Sequence, residues 1–262
     1  MRAWVNEDRS PPGGAVKVQP EAVTATPPRP VRHPILIQHW RDVVFLHWPA
    51  EPRLVAPLLP RSVVPDLMDG GTYVGLIALR MCRVGLPGLP VPYLGWFPEV
   101  NVRVYSVGPD GRRGVVFLSL DAARLMPAMI GRSGLRLPYL WSRMHAGRER
   151  GTVSYASSRR WPGPTGARLR LAVDVGEPVT NPSPLEQFLT ARWGLHVRWY
   201  GAEPLYLPNE HPTWPLRHAT LRDLDENLIG ATGLPAPTGE PVSVLYAPEV
   251  RVRAGLPERL PS

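Results

Sequence analysis

A chain of 262 residues is long enough for one large domain or two small ones, and its 44% hydrophobic content is ordinary for a protein with a substantial core. Thirty-four prolines and 24 glycines, spread along the whole length, disfavour long helices and suit short strands joined by turns. The net charge of +8 comes from arginines scattered in short pairs, with Lys17 the only lysine. No helix-turn-helix or finger spacing and no interleaved aromatics accompany them, which argues against nucleic acid as a partner.

Residues 1–33 hold PPGG and TPPRP, lack periodicity and are expected to be a disordered tail. Residues 34–256 are expected to form one domain and 257–262 a C-terminal tail. The first residues contain no apolar core of a signal peptide, and no run of about 18 apolar residues occurs. No membrane span is expected, and the cytoplasm is the expected location. PAEPRLVAPLLP reads as a single short helix, with Pro52 in its first turn, Leu54, Val55, Leu58 and Leu59 as an apolar stripe, and Pro60 as its stop. DGGTYVGLIALRMCRV reads as a turn and a long strand. It carries Cys82, the single cysteine, which excludes intramolecular disulfides and cysteine-based zinc sites and is expected to be a buried, inert thiol. VGLPGLPVPYLGW follows as a proline-rich loop placed to cover a cavity.

PEVNVRVYSVG alternates with the period of a strand, Val100, Val102 and Val104 on one face and Glu99, Asn101 and Arg103 on the other. The polar row either meets bulk solvent, as one face of an antiparallel sheet commonly does, or lines a pocket. PDG marks a hairpin turn, and VVFLSL, apolar on both faces, reads as a central strand. Phe117, Ser119 and Asp121 are expected to share a face, which lets Asp121 either join the polar row at a barrel mouth or cap a short helix over 122–133, interrupted at Pro127. RLPYLW adds Arg136 and Tyr139. A carboxylate, an arginine and a phenol converging on a cavity suit a small organic acid, with arginine as the fork for its carboxylate.

LRLPYLWSRM, GTVSYASSRR and GARLRLAVDV are further strands, the last with Leu169, Leu171, Val173 and Val175 on one face. SPLEQFLTARWG is a helix opened by a capping box at Ser183 and Glu186, with Leu185, Phe188 and Leu189 buried and Gly194 as its stop. LHVRWYG and VSVLYAPEVRVRA supply the last strands. His39 and His47 are expected to share a strand face about 26 Å apart. No histidine pair has metal-ligand spacing, and no nucleotide loop, zinc-protease helix or nucleophile elbow occurs, so neither metal nor cofactor is expected.

FLHWP, LLPRSVVPDLMDGGTYVGL, FPEVNVRVY, GVVFLSLDA, LRLPY, LEQFLTARW and HPTWPL, in that order, resemble the YqjF-like bacterial proteins, a family of unknown function related to the acetoacetate decarboxylase superfamily. The resemblance spans roughly residues 38–252. It implies a mostly β (α+β) fold, a large, twisted, mainly antiparallel acetoacetate decarboxylase-like β-barrel with a few short peripheral helices and an internal cavity. It also implies that Glu99 matches a carboxylate facing the decarboxylase cavity, with Arg103 pointing the same way, and that the chain assembles as a homo-oligomer. The decarboxylase lysine follows an aromatic–proline pair, and Tyr139 after Pro138 occupies the comparable place here. With Lys17 alone available, Schiff-base chemistry is not expected.

Three functions follow as expectations. One is a barrel that binds a small acidic or carbonyl-containing molecule through Asn101, Arg103, Ser119, Asp121 and Arg136 without turnover. Another is an acid–base enzyme of lyase or hydrolase type, with Glu99 as general acid or base, Arg103 or Arg136 as the carboxylate clamp and Tyr139 as donor to a developing oxyanion. The third is a module whose basic surface meets an acidic partner.

Overall fold

Alternating apolar residues and frequent turn formers give a chain of strands. The computed structural model describes residues 18–90, 95–124, 136–162, 165–199 and 204–261. The strands are β1 (Leu36–Ala50), β2 (Val64–Pro65), β3 (Thr72–Leu86), β4 (Leu89–Pro90), β5 (Phe97–Val107), β6 (Arg113–Ala122) and β7 (Tyr139–Glu149). There follow β8 (Thr152–Trp161), β9 (Arg168–Pro178), β10 (Gly194–Val197), β11 (Leu205–Glu210), β12 (Arg217–Glu226), β13 (Ser243–Ala254) and β14 (Glu258–Arg259). Helix α1 spans Pro52–Val55 and helix α2 Pro184–Thr190. Most of the helix expected over 122–133 lies outside the described residues, and Ala122 belongs to β6.

Nine strands close a barrel in the order β6–β7–β8–β9–β12–β13–β1–β3–β5 and back to β6. Its neighbours are antiparallel except at the short parallel β6–β7 seam. β10 and β11 run from β6 to β13 by a second route. The wall β13–β1–β3–β5–β6 is therefore packed on both faces. One face, with Val44, Leu46, Leu76, Ala78, Val100, Val102 and Val104, fills the nine-strand interior with Tyr155 and Leu171. The other carries Phe45, Ile77, Leu79 and Tyr105 and packs under α2 and Trp214. Burial on both sides is why β1 and β3 read as nearly continuous apolar runs over VVFL and VGLIAL.

Two bulges re-aim side chains on this wall. Opposite β3, Arg41 pairs with Arg80 and Val44 with Ala78, so β1 carries an extra residue there, with Asp42 at φ 50°. Beyond the bulge Trp40 packs on the α2 side, so the odd-numbered His39 and His47, expected on one face, lie on opposite ones. On β6, Val102 pairs with Ser119 but Arg103 with Phe117, which makes Leu118 the extra residue. Phe117 consequently faces α2, while Leu118 turns into the barrel.

The short elements also differ from expectation. The helix expected after Pro52 is one α-turn followed by a 3₁₀ turn at Ala56–Leu58, and Leu54 points to solvent while Val55 and Leu59 are buried. In α2 the capping box forms, Ser183 Oγ accepting from the Glu186 N–H and Glu186 Oε2 from the Ser183 N–H. Its C-cap is Ala191; Gly194 opens β10 instead. Residues 18–33 and 257–261, expected as tails, run against the barrel. The Glu21 N–H donates to Gly111 O, the Val31 N–H to Glu210 Oε2, and Leu260 is buried.

Candidate functional site

Strand register arranges the α2-facing side of the wall in rows. Leu79 sits beside Glu99, and Glu99 opposite Ala122. One step on, Phe45 lies beside Ile77 and Ile77 beside Asn101. The next row is Ser243, His47, Gly75, Arg103 and Phe117 across five strands. The polar row of β5 is neither in solvent nor among the valines: Glu99 is 2%, Asn101 4% and Arg103 7% exposed.

Glu99 Oε2 accepts from the Tyr139 hydroxyl at 3.0 Å, and the Asn101 side chain also hydrogen-bonds to Glu99. Burial pushes the Glu99 carboxyl up to about 7, against the pull of those two hydrogen bonds, and Asp121 adds to the rise. The Tyr139 phenol is held well above its ordinary range, first by burial and then by the Glu99 charge.

Arg103 Nη2 donates to Leu189 O at 3.0 Å and lies 3.4 Å from the Tyr105 hydroxyl, which itself donates to Leu189 O at 2.9 Å. The guanidinium also rests over the Phe45 and Tyr105 rings, at 5.8 and 5.6 Å. These partners are the C-terminal carbonyl of α2 and aromatic faces, all neutral. Nearby, Arg192 donates to Phe188 O and pairs with Asp66, which also takes Arg113.

His47 is fully buried. A Cβ on Gly75 would lie 3.1 Å from its Cδ2, so glycine there lets the imidazole lean across β3 toward Arg103. Burial, then Arg103 and Arg192, hold its pKa well below the usual histidine range, which keeps the ring neutral. Among the described residues, both His47 ring nitrogens, Ser243 Oγ, Asn101 Oδ1 and Arg103 Nε lack hydrogen-bond partners. Such a concentration on one face is unusual for a native interior.

The remaining expected site residues lie elsewhere. Ser119 and Asp121 pair with Val102 and Val100 and point into the nine-strand interior, because the Leu118 bulge reverses β6. There Asp121 accepts from Ser142 Oγ at 2.6 Å and from Arg159 at 3.0 and 2.8 Å. Ser119 Oγ has no partner among the described residues. Arg136 is exposed, at φ 51°, in a cleft with Leu137, Pro138 and Arg198. The structure thus unites Glu99, Asn101, Arg103 and Tyr139 and separates them from Ser119, Asp121 and Arg136. It adds His47, Tyr105 and Arg192, for which sequence reasoning had no signal beyond their being polar residues in apolar segments.

The closed barrel with its second arc is the acetoacetate decarboxylase-like fold. It superposes on the enduracididine biosynthesis enzyme MppR complexed with pyruvate with a TM-score of 0.60 at 15% identity, covering 88% of this chain and 92% of that one. An acetoacetate decarboxylase-like enzyme from Sphingomonas wittichii RW1 gives 0.58 at 14% identity, over 87% and 93% of the two chains. Within that fold class the chain belongs to the DUF2071 family, described as an uncharacterized conserved protein, whose profile matches residues 37–251. YqjF of Bacillus subtilis (strain 168), an uncharacterized protein, is 28% identical over 211 residues, 79% of this chain and 86% of its own length.

Proposed function

We propose that the protein binds a small organic acid or carbonyl compound on the α2-facing side of β5, with Arg103 holding the carboxylate, Asn101 and His47 supplying hydrogen bonds, and Glu99–Tyr139 meeting the carbonyl end. The observation that carries this reading is Arg103: a guanidinium 7% exposed whose described partners are all neutral. A buried charge without a counter-ion is costly, and a ligand carboxylate removes that cost. Pyruvate in the complex with MppR is a molecule of this class, on the same fold. Schiff-base capture has no place in the reading, since the only lysine is Lys17.

Titration of pyruvate into the full chain, followed by ligand-observed NMR, tests it. We expect binding that Arg103→Gln weakens about tenfold or more, the scale of one charge-assisted hydrogen bond. A folded Arg103→Gln protein with unchanged affinity, or a wild-type protein that ignores both pyruvate and acetoacetate, refutes the reading.

The Glu99–Tyr139 pair favours a second reading, acid–base turnover. A carboxyl near 7 is poised to take a proton from the carbon beside a carbonyl, with the Tyr139 hydroxyl donating to the enolate oxygen that forms. Exchange of the pyruvate methyl protons in D₂O then depends on protein and vanishes in Glu99→Gln. Binding without exchange leaves a binding protein.

A further inference from the structure

A second recess adjoins the Glu99 end of the β5 row, where Arg80 pairs with Pro98 one step beyond Leu79 and Glu99. It is a cleft of about 700 Å³ lined by Asp42, Arg80, Trp96, Phe97, Met144 and Arg148 among others, while Glu99, Asn101 and Arg103 take no part in its lining. The volume is that of an ordinary small-molecule site.

The β1 bulge creates the polar floor. An aspartate at φ 50° is a sparsely populated conformation, and bulges at barrel rims commonly serve to redirect one side chain. Here the redirected residue is only 8% exposed, and its carboxylate takes two hydrogen bonds and an ion pair. Its Oδ1 accepts from Arg148 at 3.0 Å and from the Tyr246 hydroxyl at 2.8 Å, and its Oδ2 lies 3.4 Å from Arg80 Nε. The Tyr155 hydroxyl donates to the Asp42 backbone carbonyl at 2.6 Å and holds the bulge in place. One carboxylate thus anchors two guanidiniums. The other charged groups lining the cleft, Arg41 and Glu249, neutralise each other at 3.1 Å. One positive charge is left over.

That excess charge is accessible, the side chains of Arg80 and Arg148 being 33% and 52% exposed. The apolar part of the lining includes aromatic and thioether side chains. Trp96 is 47% exposed, a large surface for a tryptophan at a cleft, and Phe97 and Met144 belong to the same lining. Indole offers a stacking face, and methionine adapts to varied shapes. We propose that this cleft is a second binding site, for a flat organic carboxylate whose charged group bridges Arg80 and Arg148 and whose ring stacks on Trp96. Asp42 acts as the positioning residue that splays the two arginines.

The test uses the full chain and 2-naphthoate as probe, titrated under ligand-observed NMR. The wild type binds it, and the neutral isostere 2-naphthamide binds about tenfold more weakly. Arg148→Ala and Trp96→Ala each weaken 2-naphthoate about tenfold, while Arg103→Gln leaves its affinity unchanged. Both altered side chains are half exposed, so neither variant is expected to perturb folding; should Arg148→Ala unfold, Trp96→Ala and the isostere decide the question. Absence of wild-type binding, or full affinity in either cleft variant, overturns the proposal. Loss of binding in Arg103→Gln alone overturns it too, by placing the probe on the β5 row, which is a separate claim with its own pyruvate titration.

Discussion

Glu99 has a folded pKa of about 7 against an ordinary 4.5, so the folded chain holds its proton more tightly than the unfolded chain. The stability this contributes is complete below about pH 4.5 and is lost as pH rises through 7. The buried histidines run the other way. His196 and His211 are lowered to about 4 by burial, and His47 is lowered as well, so their contribution is present above their ordinary 6.5 and is lost as pH falls through the folded values. The wild-type curve mixes the two, and the difference from Glu99→Gln isolates the carboxyl. Urea midpoints measured across that range should show wild-type stability falling relative to Glu99→Gln by up to about 3 kcal/mol on the acid-to-neutral rise. Parallel curves would mean that Glu99 titrates normally. This residue was legible from its alternation with valines; what the alternation left open was the surroundings of its face. His47 was legible only as a histidine, because its place beside Arg103 depends on three strands in register and on Gly75 leaving room between them.

Local chemistry predicted α2 well and its end badly. The Ser183–Glu186 box is a sequence-local device and forms as expected, and Ser183→Ala should cost about 1 kcal/mol in a chemical denaturation curve. Gly194 was expected to stop the helix by its conformational freedom, but its role is steric. A Cβ there would fall 2.2 Å from Tyr206 Cζ, and Tyr206 is buried with its hydroxyl donating to Arg113 O. Gly194→Ala must displace a packed ring at the β10–β11 pair, with an expected loss of about 1–3 kcal/mol. An unchanged denaturation midpoint would show that Tyr206 moves freely. Strand β12 escaped the sequence reading because its half-buried Ala219, Leu221 and Leu224 are separated by Thr220, Arg222 and Asp223, and the period breaks at a register shift between Leu221 and Asp223. The two bulges on β1 and β6 escaped it for a related reason. Each inserts one residue into a period of two, which reverses every later side chain, and neither Asp42 nor Leu118 carries a glycine or proline to announce it. That is how Ser119 and Asp121 came to be expected beside Glu99.

At the scale of the molecule, the closed barrel depends on its thinnest seam. β6 and β7 are parallel and pair at only Leu120–Tyr139, Asp121–Leu140 and Ala122–Trp141. Side chains reinforce this seam from within the barrel. Asp121 of β6 binds Ser142 of β7 and, across it, takes a two-point bond from Arg159 of β8, so one carboxylate ties three consecutive strands. Asp121 and Arg159 are 0% and 4% exposed, which makes the pair costly to desolvate and more costly to break. Asp121→Asn leaves the Arg159 charge buried without its counter-ion, and about 3–5 kcal/mol of stability should be lost. Hydrogen exchange should quicken first at the β7 amides, where few backbone bonds hold the parallel edge. The double variant Asp121→Leu with Arg159→Met removes both charges together and should recover most of that loss, since apolar replacement of a buried pair is often neutral. Recovery would identify uncompensated charge as the cause of the single variant's defect. Failure to recover would assign the seam to the geometry of the three-strand tie itself, and an Asp121→Asn protein as stable as wild type would mean that the backbone pairs close the barrel alone.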